Sequence, residues 1–456
     1  MASKRTKQPQ SSQTSATEPP VAGKTDIRGD LVFLAVITLV FLLLAAAYNR
    51  LIPFRSDSGA KADIAAYRLA TNPDEAAHVA NAEVYRSGRI PTFRPGNPDF
   101  EAHQPPLYYV LIAPTLSDSS TTSQPAALAR WISILIGAAT IWAVYACIAC
   151  SFPGRSYLAR STAAFVALLP MNISLCASIT NDVLTNLVIV LALWQIARIV
   201  NLSDEAGEAR EVRESVLLGL IMAAGIYTKT STLVVCGVSV LAALLLARLK
   251  LMSSRNALVF ATIPIVVAAV LASPWLIRNT RLYGDPVAQH IFMSAFQQTT
   301  MTTQHMLSNV SVGNYAWLEA KITFESFWGV FDSMMLFLPQ PLYGALAVVG
   351  IITVFGSLRW YKAAELSLRA RVMYRAFIAL TAATVLVFAR FNMTFFQPQG
   401  RYLYPALVPV ALFLVTGIVG IAGKESPALT AKLPTYLAGA LVLLNAFCLY
   451  TISSIF

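Results

Sequence analysis

Eleven apolar runs, most of them near the ~20 residues that cross a bilayer, punctuate the chain. The first is Leu31 to Tyr48; the others lie near 127–150, 161–179, 183–200, 215–228, 231–248, 257–277, 341–358, 373–391, 402–423 and 435–455. The pattern predicts an all-α, polytopic membrane protein of about eleven transmembrane helices. Only two polar stretches between runs are long, 49–125 and 278–339, and they are expected as extracytoplasmic loops. Leu107 to Leu116 is apolar but too short to span, and Ser117-Asp118-Ser119-Ser120 after it carries no positive charge. It reads as a helix on the outer membrane face, started by Pro105-Pro106. Residues 1–28, rich in Ser, Thr, Gln and Pro, read as a disordered cytoplasmic tail, with 29–456 as the membrane domain. The first run is too long for a signal peptide and lacks a small-residue cleavage site.

Charge sharpens the picture. Charged residues make up 12% of the 456 positions, about half the share of an average soluble domain. The net charge of +11 does not point to nucleic acid, because its carriers fall in alternate short loops. These are Arg155 and Arg160; Arg210 and Arg213; Arg248, Lys250 and Arg255; Arg359 to Arg375; and Lys424 and Lys432. Those loops, and the basic N-terminus, are expected on the cytoplasmic side. All five cysteines lie inside apolar runs, so no disulfide framework is implied.

Chemistry concentrates at the outer ends of the spans. Asn72-Pro73-Asp74-Glu75 reads as a helix start, with Asn72 as cap, Pro73 at the first position and Glu75 closing a capping box. The same run puts Asp74 and His78 on one helical face. His103 and Gln104 begin the His103-Gln104-Pro105-Pro106 stretch that closes the first loop. Asp182 sits in a short outer turn, where it is either a helix-start acid or a site acid. Lys229 is either a snorkelling side chain or a site cation. Arg278, Arg401 and Tyr402 mark two further outer ends. Acids at some ends and guanidinium or ammonium groups at others suit a lipid phosphate together with a hydroxyl acceptor. His78 and His103, with the nearby acids, are candidate ligands for a divalent ion. The aromatic residues of the second loop, from Phe292 to Trp328, fit either an interfacial belt or a wall over a substrate cavity.

Pro73-Asp74-Glu75-x-x-His78, Gln104-Pro105-Pro106-Leu107-Tyr108-Tyr109, Pro274-Trp275-x-x-Arg278-Asn279 and Gln399-Gly400-Arg401-Tyr402 together resemble the GT-C superfamily of membrane glycosyltransferases. The likeness includes the protein O-mannosyltransferase and aminoarabinose transferase groups and a related uncharacterised bacterial membrane family. The resemblance implies transfer of a sugar from a polyprenyl-phosphate donor to an extracytoplasmic hydroxyl on a glycan, lipid or protein. It implies Asp74 as catalytic base, Glu75 as the second acid of the pair, and Asp182 as an acid at the second outer turn. It further implies Lys229, Arg278 and Arg401 as contacts to the donor phosphate. A large C-terminal extracytoplasmic domain found in several relatives is missing, which argues against a peptide acceptor. Two other classes stand beside this one. A transporter or lipid flippase would place ionisable groups near mid-bilayer, where only Asn172 is notable; a non-catalytic envelope subunit would leave Asp74 replaceable.

Overall fold

The computed structural model describes residues 27–52, 54, 72, 74–94, 100–117, 126–202, 207–423 and 425–454. The expected tail up to residue 26, Pro73 and the Asp118 to Ser120 stretch lie outside them. The described helices are α1 (Ile27–Leu51), α2 (Glu75–Arg86), α3 (Leu107–Ile112), α4 (Ala127–Ser151), α5 (Ser156–Leu168), α6 (Pro170–Cys176), α7 (Asn181–Val200), α8 (Glu208–Ile226) and α9 (Val234–Arg248). They continue with α10 (Ser254–Tyr283), α11 (Gln289–Thr299), α12 (Thr303–Asn309), α13 (Val312–Trp328), α14 (Gln340–Ala363), α15 (Leu368–Asn392), α16 (Leu407–Ala422) and α17 (Pro427–Ser453). A two-residue hairpin, β1 (Val330–Phe331) with β2 (Leu336–Phe337), follows α13. Among the described residues the fold is all-α apart from that hairpin and a single bridge between Thr302 and Phe395.

Nine helices among the described residues are long and apolar enough to cross a membrane, and the bent pair α5 and α6 makes ten. The eleventh expected span, α8, falls short because its first turns are Glu208-Ala209-Arg210-Glu211-Val212-Arg213-Glu214. It nevertheless runs antiparallel to α7. Gln195 and Arg198, late in α7, bond Glu214, early in α8, while Lys229 just past α8 bonds Asp182 at the start of α7. The expected surface helix at 107–116 is six residues of α3 plus a three-residue 3₁₀ turn, about 15 Å in all, far short of a span. It lies against the bundle: Leu107 N donates to Tyr227 O at 2.8 Å. The second loop starts later than expected, because α10 continues through Arg278 to Tyr283.

Core packing brings α4 against α7 and α5, α8 against α10, and α14 against α16. The last contact is backbone to backbone: a Cβ at Gly417 would collide with the Thr353 carbonyl, so only glycine permits it. The α5–α6 break, a 63° bend, explains the polar residue in mid-span. Pro170 has no N–H for the Val166 carbonyl four residues earlier, and the Asn172 side-chain amide supplies the donor instead at 2.8 Å. Asn172 is a helix-break residue. The second-loop aromatics divide into two groups. Phe327 and Trp328 are buried against Tyr404 and Phe165, whereas Trp317 is 65% exposed.

Asn172→Ala leaves a buried carbonyl unpaired where water cannot reach it. The expected cost is about 1–3 kcal/mol, read as a lowered unfolding temperature in detergent; an unchanged temperature would mean that another donor takes over.

Candidate active site

Two acids and two cations from four separate chain segments meet at one end of the bundle. Asp74 precedes α2, Asp182 opens α7, Lys229 follows α8, and Arg401 lies in the 3₁₀ turn Gly400–Ala406 that leads into α16. The Arg401 guanidinium donates to Asp74 Oδ2 and to Gln399 Oε1 at 2.7 Å, and its other nitrogen lies 4.0 Å from Asp182 Oδ2. Lys229 Nζ bonds Asp182 Oδ1 at 2.5 Å, so its side chain turns into the cluster instead of snorkelling. The Arg401 side chain is 4% exposed and that of Asp74 35%. The buried guanidinium therefore holds an acid whose side chain is part-exposed. Tyr402 lies beside Arg401, 5.3 Å from guanidinium carbon to ring centre.

Local geometry explains how Asp74 comes to face the cluster. The helix begins two residues later than the sequence suggests: Asp74, not Asn72, is the cap, and its side chain caps nothing. Its φ of 60° is left-handed, a conformation Asp tolerates better than most residues because its short polar side chain finds local partners. Here the partner is Arg401. The capping-box reading of Glu75 is also corrected. Its carboxylate is gripped by the buried Arg130, with Nε to Oε1 at 2.7 Å and Nη2 to Oε2 at 2.5 Å, and it accepts from Ile179 N at 2.9 Å. Arg130 also donates to Asn49 Oδ1 and the Ile52 carbonyl. Glu75, expected as the second acid of the pair, is buried with both carboxylate oxygens bonded, and it links α2 to α4. On the opposite wall, Gly400 sits where a Cβ would strike the Phe327 backbone, which lets the Arg401 turn dock closely on α13.

The other expected site residues divide. His78 lies one turn beyond Asp74, buried, with Nδ1 2.8 Å from Tyr109 Oη and 3.8 Å from Glu101 Oε2. Gln104 accepts from the Asn181 amide at 3.2 Å, which ties the first loop to α7 beside Asp182. His103 sits between Phe93 and Phe292. Arg278 does not join the cluster: it donates to the Pro91 carbonyl and to Asn279, and lies 4.7 Å over the Trp275 ring. Its charge is used on the stretch that follows α2 in the first loop. The two histidines proposed as metal ligands are thus engaged with Tyr109 and with aromatic rings. Among the described residues no group of three or more His, Cys, Asp or Glu side chains has a metal-holding arrangement. Glu101 and Arg130 were not foreseen, and Tyr109 was noted only within its motif, without a role. Arg130 had a signal, an arginine at an end of an apolar run that the charge pattern expects to face outward, where the positive-inside bias does not put one.

Protonation follows from these contacts. Burial alone would raise Asp74, but Arg401 outweighs it and holds the carboxyl below its ordinary value. Burial drives His78 down to about 3, so its ring is neutral. Burial, then the Asp74 charge, pushes Glu101 from 4.5 to about 7. The site thus holds an ionised acid, Asp74, beside one that is half protonated near neutrality.

Comparison with known proteins gives a consistent picture. Residues 103–277 match the family model of dolichyl-phosphate-mannose-protein mannosyltransferase. No curated protein matches the sequence. Among solved structures, the oligosaccharyltransferase of Archaeoglobus fulgidus in its apo form is similar at a TM-score of 0.52 and 14% identity, covering 91% of this chain and 56% of its own. The same organism's AglB, in complex with an inhibitory peptide and a dolichol-phosphate, gives 0.53 at 14% identity, over 92% of this chain and 55% of its own. ArnT from Cupriavidus metallidurans bound to undecaprenyl phosphate gives 0.50 at 14% identity, over 94% of this chain and 74% of its own. The chain spans little more than half the length of the archaeal enzyme. At these identities the structural likeness is one of fold.

Glu75→Gln leaves the Arg130 charge buried and uncompensated, so stability should fall by about 3–5 kcal/mol, more than in Asp74→Asn; equal losses in thermal unfolding would remove the anchor role. Glu101 supplies a pH test. With its folded value raised, its stabilisation is complete below pH 4.5 and is lost as pH rises towards 7. Asp74 acts oppositely, losing its contribution only as pH falls below the ordinary carboxylate range. His78, depressed from 6.5 to about 3, acts against Glu101 by making stability rise with pH up to about 6.5. Glu101→Gln should therefore make stability rise more steeply between pH 4.5 and 7 than in the unaltered protein; an unchanged profile would mean that Glu101 does not titrate in this window.

Proposed function

We propose that this multi-pass membrane protein, whose fold is that of the GT-C membrane glycosyltransferases, transfers a sugar from a polyprenyl-phosphate donor to a hydroxyl acceptor on the outer face of the membrane. The observation that carries the reading is the convergence of Asp74, Arg401, Asp182 and Lys229 at one edge of the helix bundle. Two cations with donor hydrogens suit a phosphate whose negative charge grows in the transition state. A part-exposed, ionised acid within the same cluster suits proton removal from a hydroxyl. The neighbours solved with dolichol-phosphate and undecaprenyl phosphate support this class of donor.

In the proposed step, the acceptor oxygen attacks the anomeric carbon as its proton passes to Asp74. The bond from that carbon to the phosphate oxygen breaks, and the electron pair leaves with the lipid phosphate. The phosphodiester, with one negative charge, becomes a monoester with two, while Asp74 goes from anionic to neutral. One displacement inverts the anomeric centre. Arg401 is the pivot, because its bond to Asp74 can be exchanged for one to the phosphate, which frees the base as the donor arrives. Lys229, held by Asp182, gives a second contact. Glu75 and Arg130 position Asp74 and take no proton. The basic short loops support a cytoplasmic N-terminus and an outward-facing site, and a bacterial plasma membrane is the proposed location.

The transporter reading loses its main support, since Asn172 repairs a helix break and the ionisable cluster lies at span ends. Purified protein incubated with radiolabelled polyprenyl-phosphate sugars should release the label from the lipid. Asp74→Asn keeps the size of the side chain and its tolerance of a left-handed backbone, yet should slow transfer about 10²- to 10⁴-fold with the lipid still bound. Near-normal turnover in that variant would rule out Asp74 as the base.

A further inference from the structure

At the end of α16 away from Arg401, a cavity of about 330 Å³ opens between the last turns of α14 and α16 and the 155 turn. Its lining includes Arg155, Arg359, Trp360, Glu365, Gly423 and Glu425. Part of this charge is already satisfied. Glu425 accepts from the Trp360 indole N–H at 2.8 Å and from Arg155 at 3.3 Å. Two opposite charges remain. Arg359, whose guanidinium lies against Gly423, and Glu365 line the same cavity, but their side chains form no ion pair with each other or with another described residue. On the α14 surface just before Arg359, Phe355 is 67% and Leu358 57% exposed, an apolar flank on a membrane-crossing helix.

We infer that this cavity binds the headgroup of a zwitterionic aminophospholipid from the leaflet opposite the Asp74 cluster. The phosphodiester would pair with Arg359, whose planar fork matches its oxygens. The ammonium, as a hydrogen-bond donor, would pair with Glu365, and the acyl chains would run along Phe355 and Leu358. A purely anionic headgroup would leave Glu365 unmatched and repelled. A soluble phosphate would leave the apolar flank unused. The site is distinct from the proposed transfer site, which lies at the other end of α16.

The test is lipid retention, read by native mass spectrometry, on the full chain purified in detergent with phosphatidylethanolamine or phosphatidylglycerol. Phosphatidylethanolamine should be retained in preference to phosphatidylglycerol. Arg359→Gln should reduce its retention about tenfold or more, as expected for loss of a charged hydrogen-bond partner. Ala363→Trp fills the cavity while leaving both charges in place, and should reduce retention similarly even if the Arg359 variant folds poorly. Retention unchanged in Ala363→Trp, or equal for the two lipids, would overturn the inference. Displacement of the lipid by equimolar inorganic phosphate or glycerophosphoethanolamine would overturn the membrane as the ligand's source.

Discussion

A guanidinium buried to the extent of Arg130 must have its donors satisfied by protein, because water is excluded and an unmatched charge there is prohibitive. Glu75 takes two of those donors, and Asn49 and the Ile52 carbonyl take more. One ion pair thereby joins the end of α1, the start of α2 and the start of α4. Through Ile179 it also reaches the turn before α7. With Glu75 fixed in this way, the preceding residue has little choice of direction. Asp74 takes a left-handed backbone and its carboxylate meets Arg401.

The site built on that anchor is electrically balanced. Asp74 and Asp182 face Arg401 and Lys229, and no formal charge is left over among the four. Balance of this kind costs little when the site is empty and allows exchange when an anion enters: a phosphate can replace a carboxylate on Arg401 without stranding a buried charge. The neutral His78 and the Glu101–Tyr109 contact behind it form the packed wall against which Asp74 is set. The cluster is thereby set at one end of the bundle, where ionisable groups are affordable.

Most of the fold was legible because bilayer crossing imposes a length and an apolarity that survive in the sequence. Each of the apolar runs is helical. The α8 run misled slightly, since its charged first turns are compensated by Arg198 and Gln195 on α7, a tertiary match invisible to a window of hydropathy. The site was legible in its residue types and not in its pairings. Asp74 and Arg401 are 327 positions apart, and nothing local distinguishes Arg401, which joins the cluster, from Arg278, which grips the Pro91 carbonyl. Adjacent acids were also indistinguishable by type: Asp74 faces the open site and Glu75 the core, because the turn between them reverses their directions. Glu101 was passed over because its importance comes from burial, which the polar loop sequence conceals.

The account turns on Arg401 exchanging Asp74 for a lipid phosphate. A structure of the protein with a bound polyprenyl phosphate tests this most directly. The expected result is phosphate oxygens within hydrogen-bonding distance of both Arg401 and Lys229, with the Asp74 carboxylate released from Arg401 and facing the acceptor side. A phosphate bound away from both cations, with the Asp74–Arg401 pair intact, would contradict it.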